Sequence, residues 1–167
     1  MRALHIQAGP VALQHLQAQG LAPQDITVMP GAAGGPKGLI LGPLDRFIFG
    51  DWLPSSNQAV DLVGASIGAW RLASACLNQT VEALQRLEHD YIHQHYEIPA
   101  GQRRPSAAQV SQEFGQSLQA FYGARIAEIS EGEAGRSKRS IVAARSVVWP
   151  TSSAQLVAAG RVSSAWT

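Results

Sequence analysis

A serine flanked by glycines is the first place in this chain where chemistry could occur. Residues 64–68 read Gly-Ala-Ser-Ile-Gly, directly after the apolar run 60–63 and before a stretch with helical character. A serine on a tight strand-to-helix turn projects its hydroxyl outward, and glycines are needed around it because a Cβ would clash across the turn. The pattern predicts Ser66 as a nucleophile. A glycine-rich turn without chemistry is the alternative, since the chain holds 16 glycines.

A second glycine-rich turn lies upstream of the serine. Residues 30–38 read Pro-Gly-Ala-Ala-Gly-Gly-Pro-Lys-Gly, after the strand-like run 26–29 and before the helix-like run 38–49. Two such turns in succession indicate two βα units, and in a parallel sheet both turns lie at the carboxyl ends of their strands. They can therefore face one another across a crevice. One turn supplies a nucleophile, and the other supplies free backbone N–H groups for an oxyanion.

These two motifs resemble those of the patatin-like phospholipases, in particular the bacterial members. That family carries a loop of the form G-G-G-x-[RK]-G, followed about thirty residues later by G-x-S-x-G. Here residues 33–38 read Ala-Gly-Gly-Pro-Lys-Gly, with Ala33 in place of the first glycine. The resemblance covers roughly residues 8–129. It implies an α/β, three-layer fold with a short, mostly parallel sheet and flanking helices, incomplete at the C-terminus.

The resemblance also implies an activity and a set of site residues. Family members hydrolyse acyl lipids through a dyad of serine and aspartate without a histidine, and we expect neither a cofactor nor a metal here. The expected substrate is therefore a phospholipid or another acyl lipid, and Pro36 leaves the oxyanion donors to its neighbours because proline has no N–H. The residues that carry over are Ser66 as the catalytic nucleophile, Gly34, Gly35, Lys37 and Gly38 as the oxyanion loop, and Gly64 and Gly68 as the elbow.

The catalytic aspartate does not carry over. The family places it in a D-G-[GA] motif well downstream of the serine, and this sequence has no such motif. Asp90 is the only aspartate after Ser66, and it lies inside a helical pattern rather than before a glycine. Without a base, a serine hydroxyl is a poor nucleophile at neutral pH. The alternative function is therefore a catalytically inactive acyl-binding or interaction fragment, unless a second chain supplies the carboxylate.

Other binding chemistries fit the sequence less well. The loop approaches the P-loop pattern G-x-x-x-x-G-K-[ST], but Pro36 replaces its second glycine and Gly38 replaces the hydroxyl residue that would hold magnesium. His89 and His93 are four residues apart, with His95 following, but the spacing lacks the glutamate of H-E-x-x-H. A solvated polar helix face is the better interpretation of these histidines, so no metal site is predicted.

Composition limits the remaining classes. The 167 residues are enough for one core, and a formal net charge of +1 gives no electrostatic argument for nucleic acid. The single cysteine, Cys76, excludes an intramolecular disulfide and is expected as a core thiol. No apolar run approaches the ~18 residues of a membrane span. We therefore expect a cytoplasmic protein, and peripheral membrane contact stays open for an enzyme with lipid substrates.

The order of predicted elements follows from periodicity and capping. Thr80 and Ser106 are predicted to cap the two later helices. A Pro- and Ser-bearing loop is predicted for residues 52–58, and a polar linker for residues 99–105. The predicted strands are 25–29 and a second from Val60, and the predicted helices are 10–19, 37–49, 67–77, one from Thr80 and one from Ser106 to about 129.

The composition changes at about residue 130. Residues 130–167 are rich in serine, contain neither aspartate nor histidine, and have a positive balance of charge. We expect residues 1–129 to form the N-terminal part of a hydrolase domain, and residues 130–167 to form a poorly defined basic tail. The run 141–149 could be a strand, without a clear partner. A shifted reading frame near residue 130 is our hypothesis for the lost aspartate motif.

Overall fold

The computed structural model describes residues 5–98, 100–101, 103–131 and 139–144, and it shows an α/β fold. Three parallel strands form a sheet in the order β1, β2, β3. Helices connect and cover these strands. The strands are β1 (Val28–Gly31), β2 (Val60–Gly64) and β3 (Arg139–Ala144), and the α-helices are α1 (Pro10–Gln19), α2 (Gly42–Phe47), α3 (Ile67–Cys76), α4 (Thr80–Ile92), α5 (Ala107–Tyr122) and α6 (Ile126–Glu131).

The register of the sheet brings its carboxyl ends to one edge. Gly31 of β1 pairs with Gly64 of β2, which pairs in turn with Ala144 of β3. Pro30 pairs with Val63, so a proline lies inside β1. The ladder between β2 and β3 is irregular between Leu62 and Val63. Both glycine-rich turns therefore begin at the same edge, as the alternation of strands and helices predicted.

The first crossover is not the single helix predicted over 37–49. It is a run of short segments: a 3₁₀ helix at Gly35–Leu41, then α2, a π-helical turn at Ile48–Trp52 and a second 3₁₀ helix at Leu53–Ser55. Pro43 lies at the start of α2 and Pro54 inside the last segment, where each removes a backbone N–H that a continuous helix would use. The predicted loop 52–58 accordingly begins as helix.

Several predicted boundaries are confirmed and others are wrong. Helix α1 has the predicted bounds and ends at Gly20, whose φ of 79° suits glycine. The Ser106 hydroxyl accepts a hydrogen bond from the Gln109 N–H at 3.1 Å, so this cap is confirmed. The helix it begins does not run unbroken to 129, because a 3₁₀ turn at Gly123–Arg125 separates α5 from α6. The first strand begins at Val28, since Pro23–Asp25 forms a 3₁₀ turn.

The prediction that Thr80 caps α4 is wrong. Thr80 instead ties α4 to the preceding helix. Its hydroxyl donates to the carbonyl oxygens of Leu77 at 2.8 Å and Ala75 at 3.3 Å. These carbonyls lie at the C-terminal end of α3, where a helix leaves its last acceptors without intrahelical donors. The contact therefore sets the tight turn that folds α4 back against α3.

The core forms around α3, which is buried over Ile67–Ala75 as predicted. Its Trp70 ring stacks on Tyr122 of α5, with ring centroids 5.7 Å apart. The Tyr122 hydroxyl lies 2.8 Å from the Ser74 hydroxyl and donates to the Trp70 carbonyl at 3.1 Å. Tyr122 has no exposed surface, and its burial raises the pKa of the phenol well above 10.0. This hydrogen-bonded phenol fixes α5 on the elbow helix.

The strand predicted within 141–149 is observed at Arg139–Ala144, and it has a partner. It pairs in parallel with β2, so this part of the segment 130–167 belongs to the sheet. Residues 145–149 of the predicted strand, and most of the predicted tail, lie outside the described residues.

The buried phenol predicts an alkaline limit to stability. Because the pKa of Tyr122 is raised on folding, its stabilisation is complete below the unfolded value of 10.0 and is lost as the pH rises above it. Tyr122→Phe should lower the free energy of unfolding by about 1–3 kcal/mol at pH 8 through loss of two hydrogen bonds. It should also reduce the alkaline slope by up to about 1.4 kcal/mol per pH unit.

Urea denaturation at several pH values measures both effects. Tyr91→Phe is the matched control, because Tyr91 is a half-buried residue whose hydroxyl forms no hydrogen bond with a described residue. This variant should stay within about 0.5 kcal/mol of the parent. Equal losses in the two variants would contradict the role given to the Tyr122 hydroxyl.

Candidate active site

Ser66 lies at the turn between β2 and α3 in a backbone conformation that side chains rarely adopt. Its φ is 54° and its ψ is −130°, and it is the one non-glycine residue with positive φ in the described part of the chain. Such a conformation costs about 1–3 kcal/mol and persists only where the surroundings impose it. The hydroxyl is not used to cap α3 and makes no hydrogen bond with any described residue. A strained serine with a free, half-buried hydroxyl is what a nucleophile elbow requires.

The two glycines of the motif allow α3 to pack on the strands at backbone distance. A Cβ on Gly64 would lie 2.6 Å from the Ala69 Cα and 2.7 Å from the Ala69 nitrogen. A Cβ on Gly68 would overlap the carbonyl of Gly31 and the oxygen of Ala32. Real Cβ atoms are not found so close to backbone, so both positions are restricted to glycine. The sequence motif is therefore explained by packing at both of its ends.

The glycine-rich loop passes over the first turn of α3. At its start, Gly31 and Ala32 contact Gly68, and at its end Gly38 contacts Ile67, where an added Cβ would lie 2.7 Å from the Ile67 Cγ2. Between these contacts the chain turns at Gly35, whose φ of 54° favours glycine. The loop is thus held at both ends by residues adjacent to Ser66.

Backbone N–H groups are concentrated beneath this loop. The first N–H groups of a helix have no intrahelical acceptor, and the first i→i−4 bond of α3 is donated by Trp70 to the Ser66 carbonyl. The N–H of Ile67, the residue after the serine, is therefore open to an oxyanion, as are donors at the start of the 3₁₀ helix that begins at Gly35. The positive end of the α3 dipole adds to this field.

Lys37 is exposed and forms no salt bridge with a described residue. The four predicted residues of the oxyanion loop differ in what the structure requires of them. Gly35 allows the turn at positive φ and Gly38 seats the loop on α3, whereas Gly34 has an extended φ of 174° and room for a Cβ, and the Lys37 side chain is exposed.

A general base is missing from the described part of the site. The described residues that follow β1 and β2 at the carboxyl edge, 32–37 and 65–66, include no carboxylate. Asp90 lies on the exposed face of α4, where its oxygens are 3.3 Å from Arg86 Nε and 3.3 Å from His89 Nδ1. It is therefore occupied elsewhere and makes no hydrogen bond with Ser66.

A buried ion pair holds the crossover against the elbow helix, and no pattern in the sequence predicted it. Arg71 of α3 donates from Nε and Nη2 to the two Asp45 oxygens of α2, at 2.5 and 2.6 Å. The side chains are 10% and 6% exposed, so the bidentate pair is shielded from solvent. A cavity of about 10 Å³ beside it could hold no more than one water. The one sequence feature that could have pointed to this ion pair is the lone Arg71 inside an otherwise apolar helix.

His89 and His93 lie on the surface at the C-terminal end of α4. The rings of His89 and His93 stack 4.2 Å apart, and His93 Nδ1 lies 2.8 Å from the His89 carbonyl oxygen. Both are exposed. Among the described residues no group of three His, Cys, Asp or Glu could hold a metal ion. Cys76 is half-buried and packs against the core.

The strain at Ser66 predicts an unusual stabilising substitution. Ser66→Gly should raise the free energy of unfolding by about 1 kcal/mol, because relief of the backbone strain exceeds the entropy that glycine adds to the unfolded chain. Ser66→Ala should give no such gain, because alanine keeps the Cβ. Urea denaturation of both variants beside the parent decides the point, and an equal stability of the two variants would refute the strain.

The buried ion pair predicts a large loss of stability when one partner is neutralised. Asp45→Asn should cost about 3–5 kcal/mol, since it leaves the Arg71 guanidinium buried without its counter-charge. Asp90→Asn removes an exposed i,i+4 pair with Arg86 and should cost less than about 1 kcal/mol. Denaturant midpoints measure both changes, and comparable losses would contradict the burial of the Asp45–Arg71 pair.

Comparisons with known proteins add nothing to this geometry. No family model matches the chain, and none of the curated proteins or solved structures compared with it matches either. Within the described residues, no helix is both long and apolar enough to cross a membrane. The case for a function therefore rests on the arrangement of Ser66, the glycine-rich loop and α3.

Proposed function

We propose that this chain is a serine ester hydrolase of the patatin-like type, acting on a phospholipid or another acyl lipid. The observation that carries the proposal is the conformation of Ser66: a strained serine at the N-terminus of α3, whose hydroxyl bonds to no described residue and whose neighbours Ile67 and Gly68 contact a glycine-rich loop. Strain at such a position indicates function, because packing alone would be better served by glycine. The three-layer fold of that family, of which the observed α/β sheet would be part, belongs to the same proposal.

The reaction follows from the positions of these groups. The Ser66 Oγ would attack the acyl carbonyl carbon, and the hydroxyl proton would pass to a base that the described residues do not supply, an aspartate carboxylate by the family resemblance. Negative charge on the carbonyl oxygen would meet the backbone N–H groups of Ile67 and of the loop residues Gly34, Gly35 and Lys37. Collapse of the tetrahedral intermediate would release the alcohol, which takes the proton, and leave an acyl ester on Ser66. Water would then attack that ester, release the fatty acid and restore the hydroxyl.

The packing explains how such a site would keep its geometry during the reaction. Gly38 holds the end of the loop on Ile67, and Gly68 holds its beginning on Gly31. The Asp45–Arg71 pair fixes the crossover, and with it the loop, to the same helix that carries the serine. The donors and the nucleophile would therefore be held by the same set of packing contacts, as oxyanion stabilisation requires.

A second candidate function is supported by a specific observation. No carboxylate or imidazole of the described residues is hydrogen-bonded to Ser66, so the described site lacks a proton acceptor. Such a chain would bind an acyl group in the oxyanion loop without turning it over at a useful rate, or would depend on a carboxylate from a second chain. It would then act as an acyl-binding or interaction fragment.

Ester turnover separates the two candidates. We expect the purified chain to hydrolyse a short-chain p-nitrophenyl ester, and Ser66→Ala to lose at least about tenfold in kcat/KM, with the residual rate due to the oxyanion donors alone. Asp90→Asn is the matched control, since that carboxylate is occupied by Arg86 and His89, and it should retain the parental rate. A fluorophosphonate probe should label the parent and not Ser66→Ala.

Equal rates in the parent and in Ser66→Ala, without labelling, would reject the hydrolase and leave the second candidate. Calorimetric titration with decanoate then tests that candidate directly. Binding by the parent that is weakened in Gly38→Val, where the added side chain meets Ile67, would support an acyl-binding role. A loss of turnover in Asp90→Asn would instead identify Asp90 as an unrecognised base.

A further inference from the structure

A single buried side chain attaches the segment that carries the glycine-rich loop, and that side chain is charged. In the described segment 32–47, which runs from the loop through α2, Gly38 and Asp45 are the two buried residues. Gly38 has no side chain. Asp45 is 4% exposed and accepts two hydrogen bonds from Arg71 of α3. The attachment of this segment by a buried side chain therefore consists of the ion pair of Asp45 with Arg71.

The ion pair lies directly behind the point where the loop meets α3. One small cavity is lined by Gly38 and by both members of the ion pair. Gly38 contacts Ile67, which lies four residues before Arg71 and so one turn away along the same helix. A displacement of Asp45 would therefore be transmitted to the end of the loop.

The backbone of the crossover cannot by itself fix the orientation of the loop. From Gly35 to Ser55 the chain forms a 3₁₀ helix, the short α2, a π-helical turn and a second 3₁₀ helix. Segments this short contribute few hydrogen bonds along any one axis, and most helical stability in proteins comes from tertiary packing. The direction of the crossover relative to α3 must therefore come from contacts with the rest of the protein.

Stability alone does not require a charged pair at this place. The desolvation of two buried charges offsets much of their attraction, and well-packed apolar side chains of similar volume are often as stabilising or more so. The helix around Arg71 is largely apolar, so an apolar pair would suit these surroundings. The ion pair adds direction, because the guanidinium donates two hydrogen bonds to one carboxylate in a fixed geometry.

We propose that Asp45 and Arg71 are positioning residues, which hold the backbone N–H groups of the glycine-rich loop in the orientation that an oxyanion requires. The proposal rests on the proposed function, because this orientation affects turnover only if Ser66 reacts. The two side chains bond to one another and act through Gly38, not on the substrate. Loss of their geometry would therefore lower kcat, since misplaced donors weaken the transition state rather than substrate binding.

An apolar replacement of the pair separates positioning from stability. Asp45→Leu/Arg71→Met keeps a branch at Cγ in the first side chain and an unbranched stem in the second, but removes both charges. Its denaturant midpoint should equal or exceed that of the parent. The ¹⁵N order parameters of the amides of Gly34, Gly35 and Lys37 should nevertheless fall from about 0.85 to below about 0.6. For a short-chain p-nitrophenyl ester, kcat should fall about tenfold or more while KM stays nearly unchanged.

The chain offers a matched control on the same helix. Arg46 of α2 forms a half-buried ion pair with Glu88 of α4 at 2.7 Å. Glu88→Gln removes this pair and should leave the loop order parameters and kcat at parental values, because the pair joins α2 to α4 and not to α3. Arg71→Lys is a milder second variant, which keeps the charge but not the bidentate geometry. It should keep the fold and show a smaller loss of loop order and of kcat.

The outcomes separate the positioning role from the hydrolase. Lower loop order in the apolar double variant or in Arg71→Lys, but not in Glu88→Gln, supports positioning even where the parent hydrolyses no ester, because order is measured without substrate. Absence of turnover in the parent rejects the hydrolase alone. Parental loop order in both Arg71 variants overturns the positioning role, and so does a parental kcat in the folded double variant. An equal loss of order in Glu88→Gln also overturns it, because any contact of α2 would then suffice.

Discussion

The close approach of two backbones, at Gly68 in the first turn of α3 and at Gly31 at the end of β1, is the constraint on which this structure depends. Only hydrogen fits between the Gly68 Cα and the Gly31 carbonyl. With the helix this near the sheet, the connection from Gly64 must turn within two residues, and Ser66 is forced to positive φ. The same approach brings the loop after β1 over the helix N-terminus. The strain at Ser66, its lack of a hydrogen bond to a described residue and the open N–H groups therefore share one cause.

The same close approach also explains why the described site has a nucleophile and oxyanion donors but no base. Nucleophile placement and oxyanion donors arise from backbone geometry, which the glycines impose locally. A base is a side chain, and it must reach the serine from another part of the fold with a defined orientation. The residues described around Ser66 provide the backbone geometry but not the base side chain. A scaffold can keep its elbow through packing alone, since α3 is also the centre of the core, where Trp70 and Tyr122 stack.

The sequence analysis could predict what depends on local rules. The glycine spacing around Ser66, the buried character of α3, the bounds of α1 and the cap at Ser106 all follow from nearest-neighbour sterics and periodicity, and each is observed. The ion pair of Asp45 with Arg71 spans 26 positions, so no local pattern could predict it.

The prediction of a single crossover helix over 37–49 failed for a different reason. Its apolar periodicity is helical, but prolines and glycines divide it into turns that only packing can order. Whether Ser66 acts as a nucleophile remains a prediction of both the sequence and the geometry.

Pro30 has a consequence for the sheet as a whole. Among the described strands β1 has a neighbour on one side only. The carbonyls of Thr27 and Gly31 accept hydrogen bonds from Asp61 and Ala65, so the backbone groups of Val28 and Pro30 alternate to the opposite side. A proline there removes one donor from the outward row. An incoming strand would find an interrupted ladder, so the proline protects this edge against templated assembly with other chains.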